Sequence, residues 1–134
     1  MEENNEKVHT GPLVLLVDDD QFLRDMYSVK FKEHGFVVEV AEGGNDALER
    51  LRAGLAPHII VFDIVMPGTD GYEFLETLGT EKLATDAIKI ALSNQGQDAD
   101  RERAMSLGAS GYIIKANTIP SEVVSEVMKL AGIK

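Results

Sequence analysis

A doubly wound α/β domain is the fold this chain predicts, and three observations predict it. Five short apolar runs, at about 13–17, 36–41, 58–62, 88–92 and 111–114, recur along the 134 residues, and a segment with helical spacing follows each. The runs at 13–17 and 58–62 are apolar at nearly every position instead of alternating, as parallel strands covered by helices on both faces require. Four runs also end in groups able to do chemistry: Asp18-Asp19-Asp20, Asp63, Ser93 and Lys115. The alternation βαβα predicts a parallel five-stranded sheet in the order 2-1-3-4-5, with helices in a layer on each face and the topological switch point between strands one and three.

The elements follow in chain order. Residues 1–11 are polar and close on the breaker Gly11-Pro12, which predicts a flexible N-terminal arm, with the domain itself at 12–134. Strand one, Leu13 to Val17, runs into three aspartates; Asp20, immediately before the first helix, suits an N-cap better than a ligand. Leu23, Met26, Tyr27 and Phe31 share one face of that helix, which stops at His34-Gly35, while Phe22 and Val29 lie off this face and suit either edge packing or partner docking. Ala47, Leu48 and Leu51 mark the second helix. The third strand ends at Asp63, and Asp70-Gly71 is a loop and helix-start signal before the stripe Phe74, Leu75 and Leu78. Ser93 closes the fourth strand; Ala104, Met105 and Leu107 mark the fourth helix, ended by Gly108. Lys115 closes the fifth strand, which carries Tyr112, and Val123, Val124, Val127 and Leu130 mark a last helix with Pro120 in its first turn. The chain stops soon after this helix without a linker, so it reads as a single stand-alone domain.

Composition removes several function classes. Thirteen basic against 23 acidic residues leave a formal charge of −10, opposite to the basic stripe that phosphate-backbone binding needs, so no direct nucleic-acid contact is expected. The absence of cysteine excludes disulfides and thiolate zinc. No apolar run nears the roughly 18 residues of a membrane span, and the N-terminus lacks the basic and apolar regions of a signal peptide, which predicts a cytoplasmic protein without membrane insertion. His9, His34 and His58 have no metal-ligand spacing.

The predicted topology places Asp18, Asp19 and Asp63 together. Two carboxylates about 5 Å apart repel by roughly 3 kcal/mol at an effective dielectric of 20, so three need a counter-ion or raised proton affinities. An all-oxygen set suits Mg2+, which takes one or two carboxylates plus phosphate oxygens. A phosphoryl group on Asp63 would then meet the metal, the Ser93 hydroxyl and the Lys115 ammonium, each able to neutralise transferring charge.

With those residues in place, the chain resembles the receiver domains of two-component response regulators from Leu13 to Lys134. The resemblance rests on Asp18-Asp19, on Asp63 with Met66-Pro67 and Asp70-Gly71, on Ser93 and on Lys115, at intervals of 44 residues from Asp19 to Asp63, 30 to Ser93 and 22 to Lys115. It implies a flavodoxin-like three-layer (βα)5 sandwich acting as a signalling switch, an enzyme only toward its own phosphorylation and dephosphorylation. It implies that Asp63 takes phosphate from a histidine kinase or histidine phosphotransfer protein. By the same resemblance Asp19, Asp63 and the Val65 carbonyl bind Mg2+ while Asp18 holds metal waters, Lys115 contacts the phosphoryl group, and Ser93 is a switch hydroxyl that Tyr112 follows. The surface of the fourth helix, fifth strand and fifth helix then changes its affinity for a downstream protein target.

Two positions depart from the family pattern. Ala116 stands where proline usually follows the lysine, and a non-proline cis bond costs about 2.5–4 kcal/mol, so Lys115-Ala116 is expected trans. Asn94 replaces a small residue after Ser93 and could narrow access to Asp63 or hydrogen-bond the phosphoryl group. Two other enzyme or carrier classes fail on single residues. An aspartyl-nucleophile phosphatase of dehalogenase type needs a second aspartate where Val65 stands, and three acids after strand one would repel a flavin phosphate. A receiver-shaped adaptor that binds without phosphorylation is the remaining alternative, and the intact acids argue against it.

Overall fold

The computed structural model describes residues 11–94 and 96–133; the arm expected at 1–11 lies, Gly11 apart, outside them. Five parallel strands, β1 (Leu13–Val17), β2 (Val37–Ala41), β3 (Ile59–Asp63), β4 (Ile88–Ser93) and β5 (Gly111–Ile114), form one sheet in the order β2-β1-β3-β4-β5. Helices α1 (Gln21–Glu33), α2 (Gly44–Arg52), α3 (Gly71–Glu81), α4 (Asp98–Ser106) and α5 (Pro120–Leu130) follow the strands in turn, with a 3-10 turn at Lys115–Asn117 before α5. The doubly wound, flavodoxin-like fold expected from the sequence is the fold observed.

Why the central strands are apolar throughout is visible in their two faces. Side chains alternate along a strand, so β1 and β3 send Leu15, Val17, Ile60 and Phe62 to one side and Val14, Leu16, Ile59 and Val61 to the other. The first set packs against Leu48 and Leu51 of α2, Phe74, Leu75 and Leu78 of α3, and Ala104 of α4. The second packs against Tyr27 and Phe31 of α1 and Val123, Val124 and Val127 of α5. Each fully buried aliphatic or phenylalanine side chain contributes about 1.5–3 kcal/mol, and neither face can spare a polar residue until the strand ends.

Local signals set where helices begin. The Asp20 carboxylate accepts from the Leu23 N–H at 3.3 Å, making it the N-cap of α1, and His34 caps the other end before Gly35 at φ +88°. At α3 the cap is reciprocal: the Glu73 N–H donates to Asp70 Oδ1 at 2.9 Å and the Asp70 N–H to Glu73 Oε1 at 3.0 Å. Gly71 is needed for close contact rather than for an unusual backbone angle. A Cβ there would lie 2.7 Å from Ile64 Cα and 2.8 Å from the Asp63 carbonyl oxygen, so only glycine lets α3 start against the end of β3.

Two helical stripes differ from expectation. In α4 only Ala104 is buried; Met105 is 37% exposed, and Leu107 falls outside the helix as its C-cap. Five of the nine α4 residues are charged, which leaves too few apolar positions to make a buried stripe. On α1, Phe22 and Val29 are 72% and 55% exposed, so they do not pack at the helix edge.

Candidate functional site

Because β1 and β3 are neighbours, their carboxyl ends bring Asp18 and Asp63 side by side. One carboxylate oxygen each from Asp18, Asp19 and Asp63 lies within 4.8 Å of the others. Lys115, carried round the end of β5 by the 3-10 turn, donates from Nζ to Asp63 Oδ2 at 3.2 Å and to Asp18 Oδ2 at 3.3 Å. These three side chains are 9–12% exposed, whereas Asp19 faces solvent. The second oxygens are held by backbone: Asp18 Oδ1 accepts from the Asp20 N–H at 2.9 Å, and Asp63 Oδ1 from the Val65 N–H at 3.4 Å.

The remaining expected residues stand around this cluster. Ser93 is fully buried at the end of β4, one step beyond Leu92, the register partner of Asp63. Tyr112, 9% exposed, belongs to the core on the α3 and α4 side of the sheet. Val65 directs its side chain outward, 59% exposed, and Asn94 is exposed in the bend after Ser93. Every described peptide bond is trans, including Lys115–Ala116, as the missing proline leads one to expect. Thr118 steadies that turn by donating from Oγ1 to the Ile114 carbonyl at 3.0 Å.

Burial and crowding set the charge states. Burial raises the Asp63 carboxyl above its ordinary value; the Lys115 ammonium opposes this and Asp18 adds to it, so the ion pair does not cancel the strain. Burial acts to lower Lys115, but the adjoining Asp63 and Asp18 carboxylates outweigh it and leave the ammonium raised. Three carboxylates against one ammonium leave two formal negative charges, which one divalent cation neutralises. The donors are all oxygen, so the cluster fits a hard cation such as Mg2+.

Two contributors were not singled out from the sequence as site residues. Arg24 donates from Nη1 to the Asp18 carbonyl at 2.7 Å, tying α1 to the loop that carries the acids. Tyr27, one turn further along α1, lines with Asp18, Asp63 and Arg24 a small cavity of about 10 Å3 beside the acids. Its phenol is raised by burial first, with Lys115 opposing and both acids reinforcing. The signal was in the spacing: Asp20, Arg24 and Tyr27 fall on one helix face that begins at the acidic loop.

Comparison with known proteins agrees with this geometry. The family model of the response regulator receiver domain matches residues 14–127. The chain is 33% identical over 117 residues to the chemotaxis protein CheY of Halobacterium salinarum, covering 86% of this chain and 95% of that one. It is 30% identical over 114 residues to the phosphate regulon transcriptional regulatory protein PhoB of Escherichia coli, of which it spans about half, 49%, against 85% of its own length. Among solved structures, the Francisella response regulator 1452 receiver domain superposes with a TM-score of 0.80 at 28% identity, covering 91% of this chain and 98% of that one. Vibrio cholerae CheY4, at 24% identity and a TM-score of 0.82 over 90% of this chain and 99% of its own, shares the fold. With a family match over most of its length and the acids, hydroxyl and lysine gathered at one sheet edge, the chain belongs to the response regulator receiver domains of two-component signalling.

Proposed function

We propose that Asp63 is the phosphoacceptor of a signalling switch. The observation that carries this reading is the convergence of Lys115 Nζ on Asp63 and Asp18, at 3.2 and 3.3 Å, within a cluster of three carboxylates. An Asp63 carboxylate oxygen attacks the phosphorus of a phosphohistidine on a histidine kinase or phosphotransfer protein. The P–N bond breaks, the imidazole leaves and regains a proton, and a mixed anhydride forms on Asp63. Asp19, Asp63 and the Val65 carbonyl would hold Mg2+, with Asp18 fixing its waters. The bound ion supplies charge neutralisation of the phosphoryl oxygens. Lys115 contributes a fixed positive charge at the same oxygens, and its pairing with both acids keeps it there before transfer.

Ser93 donates its hydroxyl to the new phosphoryl group, and Tyr112 follows into the space beside β4. The surface of α4, β5 and α5 thereby changes for a downstream target, and the groove between β5 and α5 along Ile114, Thr118 and Glu122 gives that surface a shaped recess. The setting is cytoplasmic; among the described residues no helix is long and apolar enough to cross a membrane.

Labelling with acetyl phosphate, with and without Mg2+, tests the assignment. Asp63→Asn should take no label, and Asp19→Ala should weaken metal binding and slow transfer. Stable labelling of Asp63→Asn at the wild-type rate would sink the reading.

A further inference from the structure

Tyr72, the second residue of α3, is 6% exposed and reaches α4. Its hydroxyl donates toward the Asp100 carboxylate at 3.4 Å and the Asp100 carbonyl at 3.5 Å, and the Arg103 guanidinium lies 3.9 Å above the ring centroid. Asp100 and Arg103 are three residues apart on one helical face, so a single turn of α4 brackets the ring. The hydroxyl contacts exceed the usual 2.5–3.0 Å of an O–H···O bond and are correspondingly easy to break.

This contact matters because α4 is otherwise lightly held. Within the helix only Ala104 is buried, and its N-cap, Gln97, makes no side-chain capping bond. The other end of the contact is fixed to the site: Gly71, beside Tyr72, donates its N–H to the Ile64 carbonyl at 2.8 Å, in the loop that starts at Asp63. Tyr72 also shares its core cluster with Tyr112. One side of the contact thus belongs to the segment after Asp63 and the other to the helix after Ser93.

We propose that Tyr72, Asp100 and Arg103 form a latch that holds α4 against α3 in the unphosphorylated protein and opens when Ser93 and Tyr112 move toward a phosphoryl group on Asp63. The trigger rests on the phosphoacceptor reading; the hold does not. Because a weak polar contact must break and no buried apolar side chain of α4 must leave its place, the transition stays within reach of one local charge change.

Amide hydrogen exchange on the full chain tests the two halves separately. Without Mg2+ or phosphoryl analogue, Tyr72→Phe and Arg103→Gln should each speed exchange of residues 98–106 by about three- to fivefold, the factor that one modest polar contact amounts to, while α5 keeps its wild-type rates. Wild-type rates in α4, or equal acceleration in α5, would overturn the hold. Beryllofluoride with Mg2+ should then speed α4 exchange in the wild type and move the Arg103 side-chain resonance away from its ring-stacked position and toward its position in Tyr72→Ala. If the amides around Asp63 respond but Arg103 and α4 do not, the latch fails and the phosphoacceptor reading stands. If nothing around Asp63 responds, that reading and the trigger fail together, and the exchange rates of the two variants still decide the hold.

Discussion

Helices α4 and α5 follow adjacent strands, β4 and β5, yet they are bound to the sheet in opposite ways. α5 buries Val123, Val124 and Val127 completely, starts with Pro120 in its first turn, and has the Ile119 N–H satisfied by Glu122 at 3.2 Å. α4 buries Ala104 alone and meets α3 through the Tyr72 contacts. Apolar burial fixes one helix and long, partly buried polar contacts hold the other, so their local stabilities should differ widely although both belong to one sheet. A switch needs that inequality: a helix welded into the core could not answer a change of charge at Asp63.

The largest effect should separate the layers outright. Phe31→Ala, in α1 where it shares the core with α5, should cost about 3–5 kcal/mol in chemical denaturation, whereas Met105→Ala on α4 should stay within about 0.5 kcal/mol. Similar losses from both would erase the comparison.

Mg2+ should act on the sheet beneath both helices and so stabilise both, by about 2.7 kcal/mol at 100 times its dissociation constant. Its pH dependence has a definite sign. Burial first, then Asp18, holds the Asp63 carboxyl above 3.8 against the pull of Lys115, so in metal-free protein this group adds stability as the pH falls from its raised value toward 3.8. A cation needs the ionised form, so the Mg2+-induced rise in melting temperature should be full at neutral pH and shrink through that window. Lys115 behaves oppositely at high pH. Burial lowers it but Asp63 and Asp18 raise it more, so its contribution is present below 10.5 and lost as the pH rises through its raised value. Melting curves with Mg2+ and with chelator across both ranges would show these slopes.

Ser93→Ala isolates the coupling. Moving a 1:99 equilibrium to 99:1 takes about 5.5 kcal/mol, and one hydrogen bond to a charged group supplies about 1.5–3 kcal/mol of that. The variant should still bind beryllofluoride at Asp63, with a much smaller active fraction seen in the amide shifts of residues 98–130. An identical response to wild type would remove Ser93 from the mechanism.

The smallest change sharpens the comparison from the α4 side. Gln97→Asp supplies the missing N-cap, worth about 1 kcal/mol, and should slow α4 exchange without altering α5.

The sheet order, the central strands and the cluster of Asp18, Asp19, Asp63 and Lys115 were legible in the sequence because each depends on period and strand-end position, which are local. The Asp20 cap and the trans bond at Ala116 were legible for the same reason. Contacts made by helix side chains across elements were not. Arg24 on the Asp18 carbonyl, Tyr27 beneath the acids and Tyr72 against Asp100 depend on how helices pack onto the finished sheet. For α4, charge density defeated the spacing rule: Met105 and Leu107 look like a stripe beside Ala104, but in a helix with five charges in nine residues Met105 is exposed, and Leu107 packs against the core only from the C-cap, beyond the helix.

The placement of the tyrosines has an optical consequence. The chain contains three tyrosines and neither tryptophan nor cysteine. Tyr27 lies under the acids on the α1 face of the sheet, whereas Tyr72 against α4 and Tyr112 on β5 lie on the opposite face, so the three strong near-ultraviolet chromophores divide between the acid cluster and the α3–α4 side. Intrinsic emission therefore reports on these two places together, and three single Tyr→Phe variants would assign it position by position. A pair of engineered cysteines on α4 and α5 could likewise carry a distance probe without removing any native thiol.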